Sequence, residues 1–146
     1  MGHLDSSKVQ EVARKFFEAG NRQDLETLAG LVAPSLTVNN PLFGQGNVVP
    51  REVFKASLDN MRKAFPDLKM HVINMFTQGD TVVTEELETA TLSANGRSYK
   101  MPACVVMRVN DQGQIYETHN YWDTRTLFDQ LQIDLETYIK ILGKET

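Results

Sequence analysis

Three turn signals break up the second half of the chain at nearly even spacing: Gln78-Gly79-Asp80, Ala94-Asn95-Gly96 and Asn110-Asp111-Gln112-Gly113. Glycine after Asn, Asp or Gln in a short polar run is the chemistry of a tight hairpin. The segments between them are LKMHVINMFT, TVVTEELETATLS, RSYKMPACVVMRV and QIYETHNYW, and each is rich in β-branched, aromatic or methionine residues. The pattern predicts four strands in an antiparallel meander. Such a sheet has two faces, and in water something must cover at least one of them.

The first half supplies the cover. Ser7 is placed to cap a helix with Gln10 as its partner, and Val9, Val12, Ala13, Phe16 and Phe17 then recur at helical spacing up to Gly20. A second helix is expected from Asp24, with Leu25, Leu28, Leu31 and Val32 as its stripe and Pro34 as its stop. Residues 36–40 read as a short strand and residues 40–47 as a loop. Pro50 suits the first turn of a third helix, with a stripe of Val53, Phe54, Ser57, Leu58 and Met61 and a stop at Phe65-Pro66. Helices are also expected over 124–131 and from Asp134 to Gly143. Helices first and antiparallel strands after make the class α+β. A sheet curling around its helices would enclose a concavity.

Bulk properties exclude more than they identify. The 146 residues suit one domain, 1–146, with residues 1–5 expected outside its fold. A formal charge of -4 gives nothing to attract nucleic acid or an anionic membrane, so neither is expected as a partner. Cys104 is the single cysteine and is read as a small buried hydrophobe, which suits a reducing, cytoplasmic setting. The start lacks the apolar run of a signal peptide, and no apolar run is long enough to span a bilayer. The spacing of histidines and cysteine fits no metal site, and no cofactor is implied.

The last strand carries most of the candidate chemistry. Strict alternation puts Ile115, Glu117, His119, Tyr121 and Asp123 on one face and Tyr116, Thr118, Asn120 and Trp122 on the other. The first set is expected to line the concavity. Asp123 is either a pocket carboxylate with a raised pKa, fit for general acid/base work, or the N-cap of the helix that follows. His119 is a candidate for the same site, since imidazole is easily tuned near neutral pH. Glu117 either orients His119 or forms a salt bridge across the sheet. In Thr84-Glu85-Glu86-Leu87-Glu88, one of Glu85 and Glu86 must point inward, and Glu85 is favoured. Asn39 and Asn40 would hold a substrate carbonyl or satisfy turn backbone. Phe17, Phe54 and Met61 are core residues that double as pocket wall.

These residues sit among motifs that together resemble the SnoaL-like polyketide cyclases of the NTF2-like, cone-shaped α+β superfamily. The motifs are Asn39-Asn40-Pro41 with Gly46, Phe65-Pro66-Asp67-Leu68, Gly79-Asp80-Thr81-Val82-Val83, Met101-Pro102, Gly113-Gln114-Ile115 with Glu117, and Asp123. The resemblance implies a small-molecule pocket inside a curved sheet and a homodimer. It also implies proton transfer beside a carbonyl, as in polyketide cyclases and ketosteroid isomerases, on a small apolar or polyketide-like substrate. Asp123 matches the cyclases' acid/base aspartate. His119 would assist it, and Asn39 or Asn40 and Tyr121 would hydrogen-bond the developing enolate. The chain departs from the family's pattern where Asn39 stands for its histidine, where Phe16 and Phe17 leave no tyrosine in the first helix, and where His119 stands for its tryptophan. The alternative reading is a non-catalytic module that binds a ligand or dimerises.

Overall fold

The computed structural model describes residues 4–143. The first helix, α1 (Ser6–Asn21), is capped by Asp5 and not by Ser7: Asp5 Oδ1 accepts from the Lys8 amide at 3.0 Å, and the Ser7 hydroxyl donates to the same oxygen. Residues 1–3 lie outside the described residues. Of the remaining expected tail, Leu4 packs on the core and Asp5 caps the helix, so both belong to the fold. Asp24 caps α2 (Leu25–Gly30) as expected, accepting from the Thr27 amide at 3.1 Å. Pro34 does not stop that helix. It lies within β1 (Val32–Asn40), which is longer than the short strand expected.

The expected loop after residue 40 is mostly a strand. After a turn at 41–43, β2 (Gly44–Pro50) runs back antiparallel to β1, with Leu36 opposite Val49 and Thr37 opposite Val48. Both of its faces are largely exposed, so it carries no hydrophobic alternation to mark it as a strand. Helix α3 (Arg51–Ala64) follows. Its covered side is Phe54, Leu58, Met61 and Ala64, whereas Val53, expected in the stripe, is 53% exposed.

The meander then forms as β3 (Lys69–Gln78), β4 (Thr81–Thr91), β5 (Ser98–Val109) and β6 (Ile115–Trp122), closed by α4 (Thr124–Leu131) and α5 (Leu135–Ile141). The strands make one six-stranded sheet in the order β2-β1-β6-β5-β4-β3, antiparallel throughout except for β1 against β6. The sheet is open and curved, and the helices pack on its inner face.

Two apolar clusters fill that face. One joins α1 and α2 to Leu36, Val82, Val105, Met107 and Ile115. The other joins Phe65, Ala90, Leu92, Tyr99 and Met101 to Leu127, Leu131, Tyr138 and Leu142. Along β4 the inward positions read Val82, Thr84, Glu86, Glu88, Ala90. The first belongs to one cluster and the last to the other. A short polar stripe therefore interrupts an otherwise apolar interior.

Candidate active site

The register of the sheet decides which side chains meet inside. On β4 and β5, Thr84 faces Val105, Glu86 faces Ala103 and Glu88 faces Met101. Directly opposed residues on antiparallel strands share a face. Val105 and Met101 are core residues, so Thr84, Glu86 and Glu88 point inward with them. On β6, Met107 faces Thr118, Val105 faces Asn120 and Ala103 faces Trp122. The inward set on β6 is thus Thr118, Asn120 and Trp122. The expected set of Glu117, His119 and Tyr121 points outward.

The reason is a β-bulge. Val109 pairs with Ile115 and Arg108 pairs with Glu117, which leaves Tyr116 as an extra residue. A bulge inserts one residue and reverses the parity of everything beyond it. Ile115 is inward before the bulge, and the even-numbered residues are inward after it. The expectation that Glu117 and His119 line the concavity is corrected on that ground.

Glu86 is the focus of the inner stripe. It is 1% exposed, and the Thr84 hydroxyl donates to its Oε2. Its Oε1 is buried with no hydrogen-bond partner, the one side-chain oxygen or nitrogen in that condition among the described residues. Burial pushes its carboxyl up to about 7, and the nearby Glu88 charge adds to the rise, against the Thr84 hydrogen bond. Glu88 is also raised by burial, and the Tyr99 hydroxyl donates to its Oε2 at 2.8 Å. Burial raises the Tyr99 and Tyr138 phenols as well, so both stay protonated as donors. An unpaired buried carboxyl costs stability. Such groups mark functional sites more often than ordinary core does.

The other expected site residues fall elsewhere. Asp123 is exposed and is the N-cap of α4, accepting from the Arg125 amide at 3.1 Å and the Thr126 hydroxyl at 2.8 Å. Those bonds, the Thr126 hydroxyl's first, hold its carboxyl below the usual range. A general base for neutral pH needs the opposite direction. Glu85, favoured as the inward acid, is exposed and accepts from Asn74 Nδ2 at 2.6 Å.

Glu117 and His119 form an outer network. His119 Nε2 and Glu117 Oε2 are 2.5 Å apart, and Arg108 Nε donates to the same oxygen at 3.2 Å. Asn39 is buried beside them and structural: its Oδ1 accepts from the Gly46 amide at 2.7 Å, and its Nδ2 donates to the Thr118 carbonyl at 3.0 Å. Asn40 Oδ1 accepts from the Leu42 amide at 2.8 Å, which is turn chemistry. Tyr121 is 54% exposed and stacks beside His119 on the outer face. Phe17 is buried in the first cluster, and Phe54 and Met61 pack partly buried against the two clusters. Cys104 is half-buried on the outer face, with its thiol pushed up by burial. Among the described residues, no group of three or more His, Cys, Asp or Glu is placed to hold a metal, and no helix is long and apolar enough to cross a membrane.

The family model of the SnoaL-like domain matches residues 13–118. The chain belongs to this SnoaL-like family. Solved structures agree with the fold. IdmH from Streptomyces antibioticus, provisionally a polyketide cyclase, is 27% identical, with a TM-score of 0.72 over 86% of this chain and 99% of that one. Another provisional polyketide cyclase, from Acidithiobacillus ferrooxidans, is 25% identical, with a TM-score of 0.75 over 88% of this chain and 97% of that one. An LEH-like epoxide hydrolase of M. tuberculosis is 18% identical, with a TM-score of 0.74 over 92% and 97% of the two chains, a likeness of fold alone. No curated protein matches the sequence. This SnoaL-like chain has the NTF2-like α+β cone.

Sequence reasoning did not single out Glu86, Glu88, Tyr99, Thr118 and Asn120 as a group. The available signal was the acidic run on an otherwise apolar strand. Choosing within that run needed the register, which depends on pairings across the sheet.

Proposed function

We propose that the chain is a cofactor-independent small-molecule enzyme of the polyketide-cyclase or ketosteroid-isomerase kind, with Glu86 as its acid/base. The observation that carries this is the buried Glu86 carboxyl with one oxygen left unbonded, set between two apolar clusters. As a carboxylate, Glu86 takes a proton from carbon beside a carbonyl. The electron pair of that C–H bond moves onto the carbonyl oxygen as an enolate. In an isomerase Glu86 then returns the proton to another carbon. In a cyclase the enolate carbon instead attacks a second carbonyl of the same molecule, and the resulting alkoxide takes the proton back from Glu86. A group poised near pH 7 both accepts and returns the proton. Membership of the SnoaL-like family supports this reaction class.

The test is solvent deuterium exchange into enolisable aryl ketones and short poly-β-ketones, followed by NMR. Exchange by the wild type, lost in Glu86→Gln and retained in Asp123→Asn, supports the reading. Exchange that survives Glu86→Gln sinks it.

A second copy of the chain is the partner we propose, seated on the outer face of the sheet. Phe76 is 62% exposed there, with Tyr121 and the half-buried Val83, Leu87 and Val106 along the same face. Contiguous exposed apolar surface of this kind favours association. Sedimentation of Phe76→Asp as a monomer beside a dimeric wild type supports it, and a monomeric wild type excludes it.

A further inference from the structure

Glu86 is closed off on one side by the second apolar cluster, where the Phe65 ring meets Tyr99 at 5.7 Å and Tyr138 at 6.3 Å. The opposite side is different. An open cleft of about 510 Å³ lies between α1 and the edge strand β3. That volume falls within the range that holds a small organic ligand. Phe17 and Asn21 line it from the helix, and Met70, Val72 and Met75 line it from the strand.

Those three strand residues are the register partners of the polar stripe. Met70 faces Glu88, Val72 faces Glu86 and Met75 faces Thr84. Opposed side chains on one face lie about 5 Å apart at Cβ. A single layer of side chains therefore separates the cleft from the orphaned carboxyl. Two of the three are methionines, which are unbranched and change rotamer readily. Asn21 holds the strand in place: its Oδ1 accepts from the Met70 amide at 2.8 Å, and its Nδ2 donates to the Met70 carbonyl at 3.0 Å. Charge at the cleft is balanced, because Arg14 is bound by Glu11, and Glu18 on the same helix also lines the cleft. Nothing there draws an ion, so a neutral ligand suits it.

We propose that ligand reaches Glu86 sideways through the α1–β3 cleft, past Met70, Val72 and Met75. The ligand is a neutral, largely apolar ketone or aldehyde that presents the C–H beside its carbonyl to Glu86 Oε1, the oxygen left without a partner. This rests on the reading of Glu86 as the pocket acid, and its test does not require turnover. Dicyclohexylcarbodiimide is an apolar reagent for protonated buried carboxyls. The carboxyl oxygen bonds to the carbodiimide carbon, the acid proton moves to a carbodiimide nitrogen, and the adduct rearranges to an N-acylurea with nothing leaving.

At pH 6 the adduct should appear on Glu86 by peptide mass spectrometry, and 2-acetylnaphthalene should slow it. Val72→Trp, which fills the cleft from an exposed edge position, should slow labelling at least tenfold. Asn21→Ala, which frees Met70, should speed it severalfold, and adding Val72→Trp to that variant should cancel the gain. A loosened fold would not give that cancellation. Labelling indifferent to both substitutions, or absent from Glu86, overturns the route. Cleft-gated labelling in a chain that exchanges no ketone proton would support the route and sink the enzyme reading alone.

Discussion

The two faces of the sheet hold the same kinds of side chain in opposite conditions. On the outer face, Glu117 is served by His119 and Arg108, and its carboxyl is lowered, chiefly by the His119 hydrogen bond. On the inner face, Glu86 has one hydroxyl and no cation, and burial raises it to about 7. The outer group is stabilised as an anion by an imidazole and a guanidinium. The inner group is destabilised as an anion and keeps a free oxygen. Partnering, more than residue type, separates a structural carboxylate from a reactive one.

The comparison breaks most visibly in catalysis. Glu86→Gln removes the proton acceptor and keeps the volume, so ketone exchange should fall by roughly 10²–10⁴-fold, the usual worth of a general base. Glu117→Gln should change it less than threefold. Deuterium exchange measured on both variants decides the matter. Equal losses would erase the distinction between the faces.

Stability reads the same contrast as a function of pH. A carboxyl raised in the folded state binds its proton more tightly there than in the unfolded chain. The folded state is therefore favoured below the ordinary value of 4.5 and loses that advantage as pH rises to about 7. Wild-type stability should decline across that window, by about 3 kcal/mol if the whole rise is expressed. Glu86→Gln should flatten the decline and leave the protein more stable than wild type at pH 8. Urea unfolding at several pH values measures it. A wild-type curve that rises through this window would show that Glu86 is not a strained acid.

These contrasts also mark what the sequence made legible. The helix starts at Asp24 and Asp134 were readable because a capping aspartate needs only local geometry. The meander was readable because its turns carry glycine at positive φ, as at Gly79 and Gly113. Strand β2 was not, since an edge strand exposed on both faces has no pattern to show. The inward face of β6 was not, because Tyr116 is an extra residue that only the pairing with β5 reveals. Choosing between Glu85 and Glu86 failed for the same reason: alternation says that two neighbours oppose each other, never which one is inside. Asp123 carried two readings, and its cap geometry is the one present.

Asp123 gives the next smaller effect. Asp123→Ala removes the acceptor for the Arg125 amide and the Thr126 hydroxyl. Loss of an N-cap typically costs about 1 kcal/mol. The melting temperature should drop by a few degrees, while ketone exchange per folded molecule stays within twofold of wild type. A loss of exchange as large as that of Glu86→Gln, in a folded variant, would return the acid/base role to Asp123.

The smallest effect belongs to the outer network, and its sign is opposite to that of Glu86. Glu117 is lowered in the folded state, so it contributes stability above its ordinary pKa and loses it as pH falls through the lowered value. Its partner Arg108 is 42% exposed at the side chain, so solvent screens the pair. Exposed ion pairs are usually worth under about 1 kcal/mol. Glu117→Gln should therefore cost a few tenths at pH 7, shrink further in added salt, and vanish in acid. The Glu86→Gln gain, coming from desolvation, should persist in salt. Unfolding both variants with and without added salt separates the faces by mechanism: one effect is Coulombic and screened, the other is burial and is not. If the Glu86→Gln gain also faded with salt, its raised pKa would come from the neighbouring Glu88 charge, and the pocket would be wetter than its two apolar clusters imply.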